Sequence, residues 1–564
     1  MDHQQIAKRR PDDDDRLSKL GDAKRRRDDD DRLSKLGDGV VGHILSFLDP
    51  EEAMGAAALS SRWRDIFASV HTLSFEQPET PLPDYDSDGP PPRFYDPNTS
   101  HFTKNVMRAL SARSRRQAHT PAALVPLRAL RVALESYGGR DASIVDEWIA
   151  TALMDAAPKL DIDLCLARVP LCISPDPRVR APYVHVATSL DEDVAVAHQD
   201  DDAASSSDES VPRPWELPPA VYTVPSPLFS CSALRSLRLG SCRLRPPETV
   251  SLPSLEALHL THVGDDEEHL QRLISACPHL ADLTLEACGT MTALSLLDNT
   301  GLRRLALRCC HNLAAVTVHA SELRCFEYRG TIPDNSFLTV PGREAGSGGF
   351  PSVTSCKIEV CTVCVLQDTA MPDEQLAKLG SFLELFVSTK QLHLCAAQMS
   401  SCFVNLPAFT SLTHLQLHGC VRHHSNDDPT MVAATTITIL PRVPNLEVLT
   451  LFFEAGPHEA EDHPLQSEGE LLDAHHLHYN EYDTLDLATV PVPRCLGSKV
   501  RRINLVHYQG GRAQRMLARF LLGNSPLLEK LFCVFAEGSF WIQAELVREM
   551  QSWVINERAS KVFR

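Results

Sequence analysis

The sequence has no long apolar run, few aromatic side chains and a deficit of positive charge. No stretch of about 18 apolar residues occurs, so the sequence predicts no membrane-spanning helix. The N-terminal MDHQQIAKRRPDDDD lacks an apolar centre, which predicts no secretory signal peptide. Lys and Arg number 55 against 74 Asp and Glu, and a net charge of −19 would repel a phosphate backbone. We therefore expect neither a membrane nor a nucleic acid as partner.

Sequence signatures of catalysis are also missing. The chain contains no G-x-S-x-G element, no phosphate-binding loop ending in Lys-Ser/Thr and no H-E-x-x-H motif. Seventeen cysteines without a secretory signal predict reduced thiols in the cytoplasm or the nucleus. We predict that the chain is not an enzyme. A cysteine enzyme stays open as a third hypothesis, and it requires one thiol of low pKa.

Two cysteine pairs invite comparison with zinc sites. They are Cys309-Cys310 and Cys361-x-x-Cys364, and a group of histidines lies at 475–478. A structural zinc needs four converging ligands, usually from paired motifs. No second C-x-x-C or H-x-x-x-H lies at a suitable distance from Cys361. We therefore predict no metal and no cofactor.

The pattern that does recur is L-x-x-L-x-L-x-x-C. It occupies 234–242, 280–288, 302–310 and 412–420, while 255–263 keeps the leucines and ends in valine. Starts at 234, 255, 280, 302 and 323 are 21, 25, 22 and 21 residues apart, a period typical of leucine-rich repeats. Looser copies begin at 70, 127, 157, 446, 500 and 528, and the boundaries between about 331 and 500 stay open.

This spacing dictates a fold. The L-x-L step places both leucines on one face of a short strand, which a single repeat cannot bury and stacked neighbours can. Residues 264–274, with acids followed by apolar residues three and four apart, predict a return helix. We predict an α/β fold, a leucine-rich-repeat solenoid over 101–540 with a parallel concave sheet and convex helices or loops. The final cysteine of each copy predicts a small side chain inside the turn that leaves the strand.

Residues between the leucines point away from the predicted core. In the assigned register the positions expected to bind a substrate are Arg238, His259, Thr284, Arg304 and Glu327. Their chemistry is mixed, so we predict that the face binds a protein rather than one repeated small ligand.

Residues 31–75 carry a different pattern, of apolar stripes on short helices. An Asp-Pro-Glu-Glu stretch at 49–52 predicts a stop and a restart between two of them. Here the sequence resembles the F-box, whose pattern is matched by Leu33-Ser34-Lys35-Leu36-Gly37-Asp38, Ile44-Leu45-Ser46-Phe47-Leu48 and Leu59-Ser60-Ser61-Arg62-Trp63 with Phe67.

The resemblance implies a three-helix module over 32–75 that docks on the Skp adaptor of a cullin-RING ubiquitin ligase. The adaptor-facing and supporting apolar contacts that it implies are Leu36, Val41, Ile44, Leu45, Leu48, Leu59 and Trp63. Gly37 stands where the family usually has proline, and glycine leaves the entry to the helix less fixed. Residues 515–535 resemble the FBD segment of plant-type F-box proteins, so we expect an FBD-like end of the solenoid over 500–564.

Segments of biased composition separate these parts. Residues 8–23 are nearly repeated by 24–39, with 14 of 16 positions identical. Their charge blocks lack apolar periodicity, which predicts a disordered leader over 1–31. Residues 76–100 predict a Pro/Asp-rich linker or loop, and 190–214 predict an acidic disordered insertion.

Two hypotheses of function follow from the resemblance and the repeats. The first is a substrate-receptor subunit of a Skp-cullin-F-box ubiquitin ligase, in the cytoplasm or nucleus, whose repeats recruit an unidentified protein substrate. Such a receptor acts by proximity and supplies no bond-breaking group. The alternative, motivated by Gly37 and the duplicated leader, is a leucine-rich-repeat scaffold with a degenerate F-box and no ligase role.

Overall fold

A computed structural model describes a large part of the chain. The described residues are 35–45, 70–77, 102–111, 126–135, 137, 142–172, 221–319, 321–341, 349–361, 373–396, 405–421, 434–455 and 491–564. The chain divides into two compact units, Met1–Ala133 with Ser143–Asp163, and Leu134–Ala142 with Leu164–Arg564. Within the described residues, no helix has the length and apolar character needed to cross a membrane.

The first unit combines helices with parallel strands. Its helices are α1 (Asp38–Leu45), α2 (102–111) and most of α3 (Ala142–Met154), and its strands are β1 (Thr72–Glu76), β2 (Leu127–Ala133) and most of β3 (Ala156–Cys165). The strand order is β1-β2-β3, and β1 pairs with β2 so that Leu73 lies opposite Leu130. Both leucines are buried, as the leucine pattern at 70 and 127 predicts.

The second unit alternates strands with helices and turns. The strands are β4 (Tyr222–Thr223), β5 (Leu234–Gly240), β6 (Cys242–Arg243), β7 (Ala257–Thr261), β8 (Asp282–Glu286), β9 (Ala293–Leu296), β10 (Arg304–Arg308), β11 (Ala315–Val318), β12 (Cys325–Gly330), β13 (Leu338–Thr339), β14 (Ser355–Val360), β15 (Gln391–Ala396), β16 (His414–Val421), β17 (Val448–Ala455), β18 (Arg502–Tyr508), β19 (Lys530–Phe535) and β20 (Ser560–Phe563). The helices are α4 (Glu267–Ser275), α5 (Asp373–Glu384), α6 (Arg494–Ser498), α7 (Arg512–Gly523) and α8 (Phe540–Trp553), with 3-10 turns at Ser226–Ser230 and Leu440–Arg442 and a π-helical turn at Ala434–Ile439.

A large parallel sheet dominates the second unit. Its described strands follow one another in the order of the chain, β5-β7-β8-β10-β12-β14-β15-β16-β17-β18-β19-β20. Strands β9, β11 and β13 form a smaller parallel sheet, and β4 pairs with β6. The predicted α/β class with a large parallel sheet is confirmed. Of the predicted three-helix module, α1 is described, and 46–69 lie outside the described residues.

The leucines of each repeat stack on those of the next. Leu237 lies opposite Leu258, and Leu258 lies opposite Leu283, so that the apolar positions form continuous columns. All three side chains are at most 1% exposed. Burial of each such leucine stabilises the fold by about 1.5–3 kcal/mol. The positions of the leucines in the sequence therefore indicate which residues form the buried strands.

The turn after each of β5, β7, β8 and β10 contains a residue in the left-handed region. Its φ is 57° at Ser241, 51° at His262, 49° at Ala287 and 56° at Cys309. This conformation points the backbone N–H at the neighbouring repeat: Ser241 donates to the carbonyl of Thr261 at 2.9 Å, and Ala287 donates to that of Arg308 at 2.8 Å. These bonds offset the steric cost of positive φ in non-glycine residues.

The cysteine that follows this residue faces inward, as predicted. The Cys288 thiol lies 3.8 Å from the carbonyl oxygen of Leu260, and the Cys310 thiol lies 3.6 Å from that of Leu285. Cys242 and Cys288 are buried. A small side chain with a weak S–H donor therefore fills the turn.

The return segment predicted at 264–274 is helical from Glu267 onward, which confirms the predicted helix. Helix α4 begins with Glu267 and Glu268 and buries Leu270, Leu273 and Ile274. Just before it, the buried Asp265 accepts hydrogen bonds from the backbone N–H groups of Leu244 and Arg245, at 2.5 and 2.9 Å. One carboxylate thus holds the preceding repeat against this one.

Three described strands of the large sheet have no counterpart among the predicted repeats. They are β14, β15 and β20, and the first carries Cys356 and Ile358 where the pattern demands leucine. Both side chains are 1% exposed, so their positions serve the same packing role with different residues. The predicted leader at 1–31, nearly all of the linker at 76–100 and the insertion at 190–214 lie outside the described residues.

Candidate binding face of the sheet

The predicted substrate positions share one face of the large sheet. The strand register sets Arg238 opposite His259, His259 opposite Thr284, and Thr284 opposite Ala306, which lies opposite Glu327. Arg304 lies on the same face of β10, two residues before Ala306. All five predicted residues therefore share this face, which we call the binding face.

Two carboxylates on the binding face are buried among cations. The Glu286 side chain is 9% exposed, and its Oε2 lies 2.8 Å from His259 Nε2 and accepts a 2.9 Å hydrogen bond from Thr261 Oγ1. Arg308 pairs with its other oxygen. Burial by itself raises the pKa of Glu286, but the bond and charge of His259, with the bonds from Thr261 and Arg308, lower this pKa to about 2.

Glu327 forms the second centre of this network. Its side chain is 8% exposed, and its carboxylate lies 2.8 Å from Arg308, 3.2 Å from Lys357 Nζ and 3.4 Å from Arg304. Burial opposes ionisation here too, yet the Arg308 and Lys357 charges and hydrogen bonds lower the pKa of Glu327. Arg308 thus bridges both carboxylates. Glu327 and the buried Thr284 support the face from within more than they extend to solvent.

The groups that reach solvent on this part of the face are mostly basic. The Arg304 side chain is 44% exposed and that of Lys357 is 36% exposed, and Arg238 is exposed as well. Asp282, 43% exposed, lies 3.8 Å from Arg304. Because Glu286 and Glu327 are buried and neutralised, a partner meets cations first, although the chain as a whole is acidic.

Further along the chain, the face is partly aromatic on β15, β16 and β17. On β15, β16 and β17 the rings of His393, His418 and Phe452 follow one another with centroid separations of 6.1 and 5.2 Å. Asn504 donates a 2.8 Å hydrogen bond to Thr450 Oγ1 further along. Burial, followed by the nearby Lys357 and His418 charges, lowers the pKa of His393 to about 4, so this ring is neutral at pH 7.

Sequence reasoning missed several of these residues. Lys357, Glu359 and His393 lie on β14 and β15. These strands lack the leucine spacing, so the sequence did not show which of their residues face the binding face. Arg329, on β12, lies 3.1 Å from Glu359 through its Nε atom. A usable signal was the alternation of charged and apolar residues in KIEV at 357–360, which marks a half-buried strand.

Comparison with known proteins matches both the repeats and the C-terminal region. A family model described as FBD-associated F-box protein At5g56370, LRR repeats, matches residues 209–336, and the FBD family model matches residues 490–532. The F-box/LRR-repeat protein At3g59210 of Arabidopsis thaliana is 24% identical over 452 residues, 74% of this chain and 72% of that protein. These matches support an F-box/LRR protein with an FBD segment.

Two further Arabidopsis thaliana proteins are similar over shorter stretches. The F-box/FBD/LRR-repeat protein At5g56420 is 29% identical over 201 residues, 35% of this chain and 43% of that protein. F-box/LRR-repeat protein 13 is 42% identical over 74 residues, 13% of this chain and 15% of that protein. The family resemblance inferred from the sequence motifs is thereby confirmed.

In this F-box/LRR protein the FBD segment is organised by polar side chains. Gln514 Oε1 accepts hydrogen bonds from the backbone N–H groups of Gln509 and Gly510, at 2.9 and 3.2 Å, where the chain enters α7. Gly510 has a φ of +74°, and a side chain there would collide with Leu546. The buried Arg515 pairs with both oxygens of Glu549, at 2.8 and 3.1 Å, and so ties α7 to α8.

The described part of the F-box motif separates buried from exposed apolar residues. Val41 and Leu45 are each 1% exposed and Leu36 is half-buried, whereas Ile44 is 38% and Val40 is 51% exposed. The predicted contacts Leu48, Leu59 and Trp63 lie outside the described residues. Of the predicted set, Ile44 has the geometry of a surface contact, while Val41 and Leu45 have that of interior support.

Five of the described cysteines in the second unit do not resemble nucleophiles. Burial raises the pKa of Cys277 to about 12 and that of Cys495 to about 11, and it raises the pKa of Cys242, Cys356 and Cys533 as well. A thiol that stays protonated at pH 7 attacks poorly. These five positions therefore give no support to the hypothesis of a cysteine enzyme.

Proposed function

We propose that this F-box/LRR protein is the substrate receptor of a Skp-cullin-F-box ubiquitin ligase. One observation carries the proposal: helix α1, within the F-box motif, exposes Val40 and Ile44 while it buries Val41 and Leu45. Two exposed apolar residues on a helix that is already anchored are suited to a partner surface. The Arabidopsis relatives named F-box/LRR-repeat proteins support the same assignment.

The large sheet would supply the other half of the function. Its binding face offers exposed cations at Arg238, Arg304 and Lys357 and a partly aromatic region at β15–β17. We infer that it selects a protein that carries an acidic segment beside an apolar or aromatic one. The receptor itself contributes proximity, because holding a substrate near a conjugating enzyme that carries ubiquitin raises the local concentration of the reactants. Its place of action would be the cytoplasm or the nucleus.

Adaptor binding is tested by co-purification of the full chain with a Skp adaptor. We expect the wild type to bind and the double variant Val40→Asp with Ile44→Asp to lose binding, because both side chains are exposed and a charge there need not unfold α1. Leu45→Asp is unsuitable as the test, since burying a carboxylate would itself disrupt the fold. Ile555→Asp, at an isoleucine that is 55% exposed in the second unit, is the matched control.

The outcomes separate the two hypotheses of function. Loss of binding in the double variant, with retention in Ile555→Asp, supports the receptor. A folded wild type that does not bind any Skp adaptor supports the scaffold with a degenerate F-box. Binding that survives the double variant refutes the assignment of Val40 and Ile44 as adaptor contacts.

The basic part of the binding face is tested by charge reversal. Affinity capture with a proteasome inhibitor present identifies bound proteins, and in-vitro ubiquitin transfer to each one identifies substrates. Arg238→Glu with Arg304→Glu should abolish capture of a true substrate and leave the Skp adaptor bound. Arg494→Glu, an exposed arginine on α6, should change neither. A substrate captured equally by the double variant and the wild type contradicts the proposed role of the face.

A further inference from the structure

A short segment of the second unit crosses the turns that follow the strands. We call residues 166–172 the strap. The N–H of Leu166 donates to the carbonyl of Gly240 at 3.1 Å, and Ser241 Oγ donates to the carbonyl of Ala167 at 3.2 Å. One repeat further on, His262 Nε2 donates to the carbonyl of Val169 at 3.3 Å. The left-handed turn residues thus hold the strap in succession.

The strap ends in a cluster of thiols. The Sγ atom of Cys172 lies 2.7 Å from that of Cys309 and 3.4 Å from that of Cys361. All three Sγ atoms lie within 4.8 Å of one another. Cys309 and Cys361 are each 2% exposed, and Cys172 is half-buried. Three thiols from positions 137 and 189 residues apart thus meet at one point of the fold.

A nitrogen ligand stands beside these sulfur atoms. His311 Nε2 lies 3.5 Å from Cys172 Sγ, on the exposed side of the cluster. Three thiolates and one imidazole form a donor set typical of tetrahedral structural zinc. In such a site Zn–S bonds of about 2.3 Å set the sulfur atoms about 3.8 Å apart. Side-chain rotations that move the thiols by about 1 Å bring the observed cluster to that geometry.

The surrounding charge suits a zinc-thiolate centre. Zn²⁺ with three thiolates and a neutral imidazole carries a net charge of −1. The Arg329 guanidinium lies beside Cys309 and Cys361, and its Nε is 3.1 Å from Glu359 Oε1. A fixed cation at this position stabilises both the thiolates and the anionic complex.

We propose that Cys172, Cys309, Cys361 and His311 bind one Zn²⁺ ion, which fastens the strap to the turns after β10 and β14. The ion is structural, because four protein ligands complete its tetrahedral shell. Its binding closes very long loops, and so metal affinity adds to the stability of the second unit. None of the four ligands belongs to the binding face or to the F-box motif, so the zinc proposal can be tested independently of the proposed receptor function.

The first test measures zinc in the purified, reduced full chain by mass spectrometry of the metal. We expect one Zn²⁺ per chain in the wild type and its loss in Cys172→Ser and in Cys309→Ser. Serine is compatible with the backbone at 309, because Ser241 occupies the same left-handed position of an earlier repeat. Cys231→Ser, at a half-buried cysteine outside the cluster, should retain the ion.

The second test replaces Zn²⁺ by Co²⁺ and records the absorption spectrum. Three thiolates predict an intense sulfur-to-cobalt charge-transfer band and tetrahedral d–d bands, both of which should be lost in Cys361→Ser as in the other two cluster variants. Alkylation mapping of the native chain should find Cys172, Cys309 and Cys361 protected until a chelator is added. Circular dichroism checks that each variant is folded.

Several results would overturn the proposal. A wild-type chain that retains no zinc after purification in its presence is one, and zinc that persists in all the cluster variants is another. A disulfide between Cys172 and Cys309 in the native, metal-loaded chain is a third, because a disulfide removes two of the four ligands.

Discussion

Replacing Glu286 by glutamine removes a charge from the binding face while it keeps the size of the side chain. In the native protein Glu286 contacts His259, Thr261 and Arg308 from a site that is 9% exposed. The amide of Glu286→Gln can still accept a hydrogen bond from Thr261. It cannot neutralise Arg308, which is left with Glu327 as its remaining carboxylate partner.

The magnitude follows from the pKa of Glu286. Folding lowers this pKa from 4.5 to about 2, because the cations and hydrogen-bond donors outweigh the effect of burial. Since one pKa unit corresponds to about 1.4 kcal/mol, the ionised carboxylate stabilises the fold by about 3 kcal/mol at most. Water at the open face screens the pairs, so we expect Glu286→Gln to lower the free energy of unfolding by about 1.5–3 kcal/mol at pH 7.

The contribution of the Glu286 carboxylate to the free energy of unfolding decreases as the pH falls. A group whose pKa is lower in the folded than in the unfolded protein stabilises the fold above the unfolded value, here 4.5. This contribution is lost as the pH falls from 4.5 towards 2, where the native carboxylate also takes up a proton. The part of the difference between wild type and Glu286→Gln that comes from this carboxylate should therefore be present above pH 4.5 and shrink as the pH falls towards 2.

The assay is urea unfolding followed by circular dichroism at a series of pH values, with hydrogen exchange of β7–β12 to localise the change. Glu248→Gln, at an exposed glutamate, is the matched control and should behave as wild type. Equal stabilities of the two variants at pH 7, or a Glu286→Gln deficit that grows as the pH falls, would refute the reasoning.

Three further predictions concern packing and helix entry. Leu285→Ala, at a core leucine with no exposed area, should lower the free energy of unfolding by about 2–5 kcal/mol, whereas Leu297→Ala, at a leucine 42% exposed, should cost far less in the same urea titration. Arg515→Met leaves the Glu549 carboxylate, 26% exposed, without its bidentate partner, and should speed limited proteolysis of the FBD segment; a cleavage rate equal to that of wild type contradicts this. Gly37→Pro should tighten binding of a Skp adaptor in a titration, because nothing lies within 4 Å of an added Cβ there and proline fixes the entry to α1; weaker binding contradicts this.

The regular repeats could be predicted from the sequence because their core is leucine at fixed spacing. Leu237, Leu258 and Leu283 are separated by nearly constant intervals and stack in one column. Strand β14 was missed since Val353, Cys356 and Ile358 fill the same column positions with shorter or branched side chains. A buried strand accepts any apolar residue of suitable volume, whereas a sequence pattern recognises only the common one.

The binding face was predicted in position but not in its chemistry. The register of β5 to β12 places Arg238, His259 and Thr284 side by side, as the alternation of strand residues requires. That Arg308 spans Glu286 and Glu327 depends on the distance between strands and on rotamers, neither of which the sequence contains.

The thiol cluster could not be found from spacing. Zinc motifs are recognised when two ligands lie close together on each of two segments. Here Cys172 comes from the strap, Cys309 and His311 from one turn and Cys361 from another, so that the fold alone brings them together. The expectation of no metal rested on Cys361 and Cys364, and Cys364 lies outside the described residues.

In the large sheet of the second unit, the described strands lie in the same order as in the chain. Each strand therefore pairs with the strands of the preceding and the following repeat. Strands β17 and β18 pair although residues 456–501 intervene, and β8 and β10 pair across a far shorter connection. Evolution can therefore lengthen a connection, or add or remove a whole repeat, without disturbing strand pairing elsewhere in the sheet. The residues that bind a partner can thus change in one repeat at a time, while the fold stays the same.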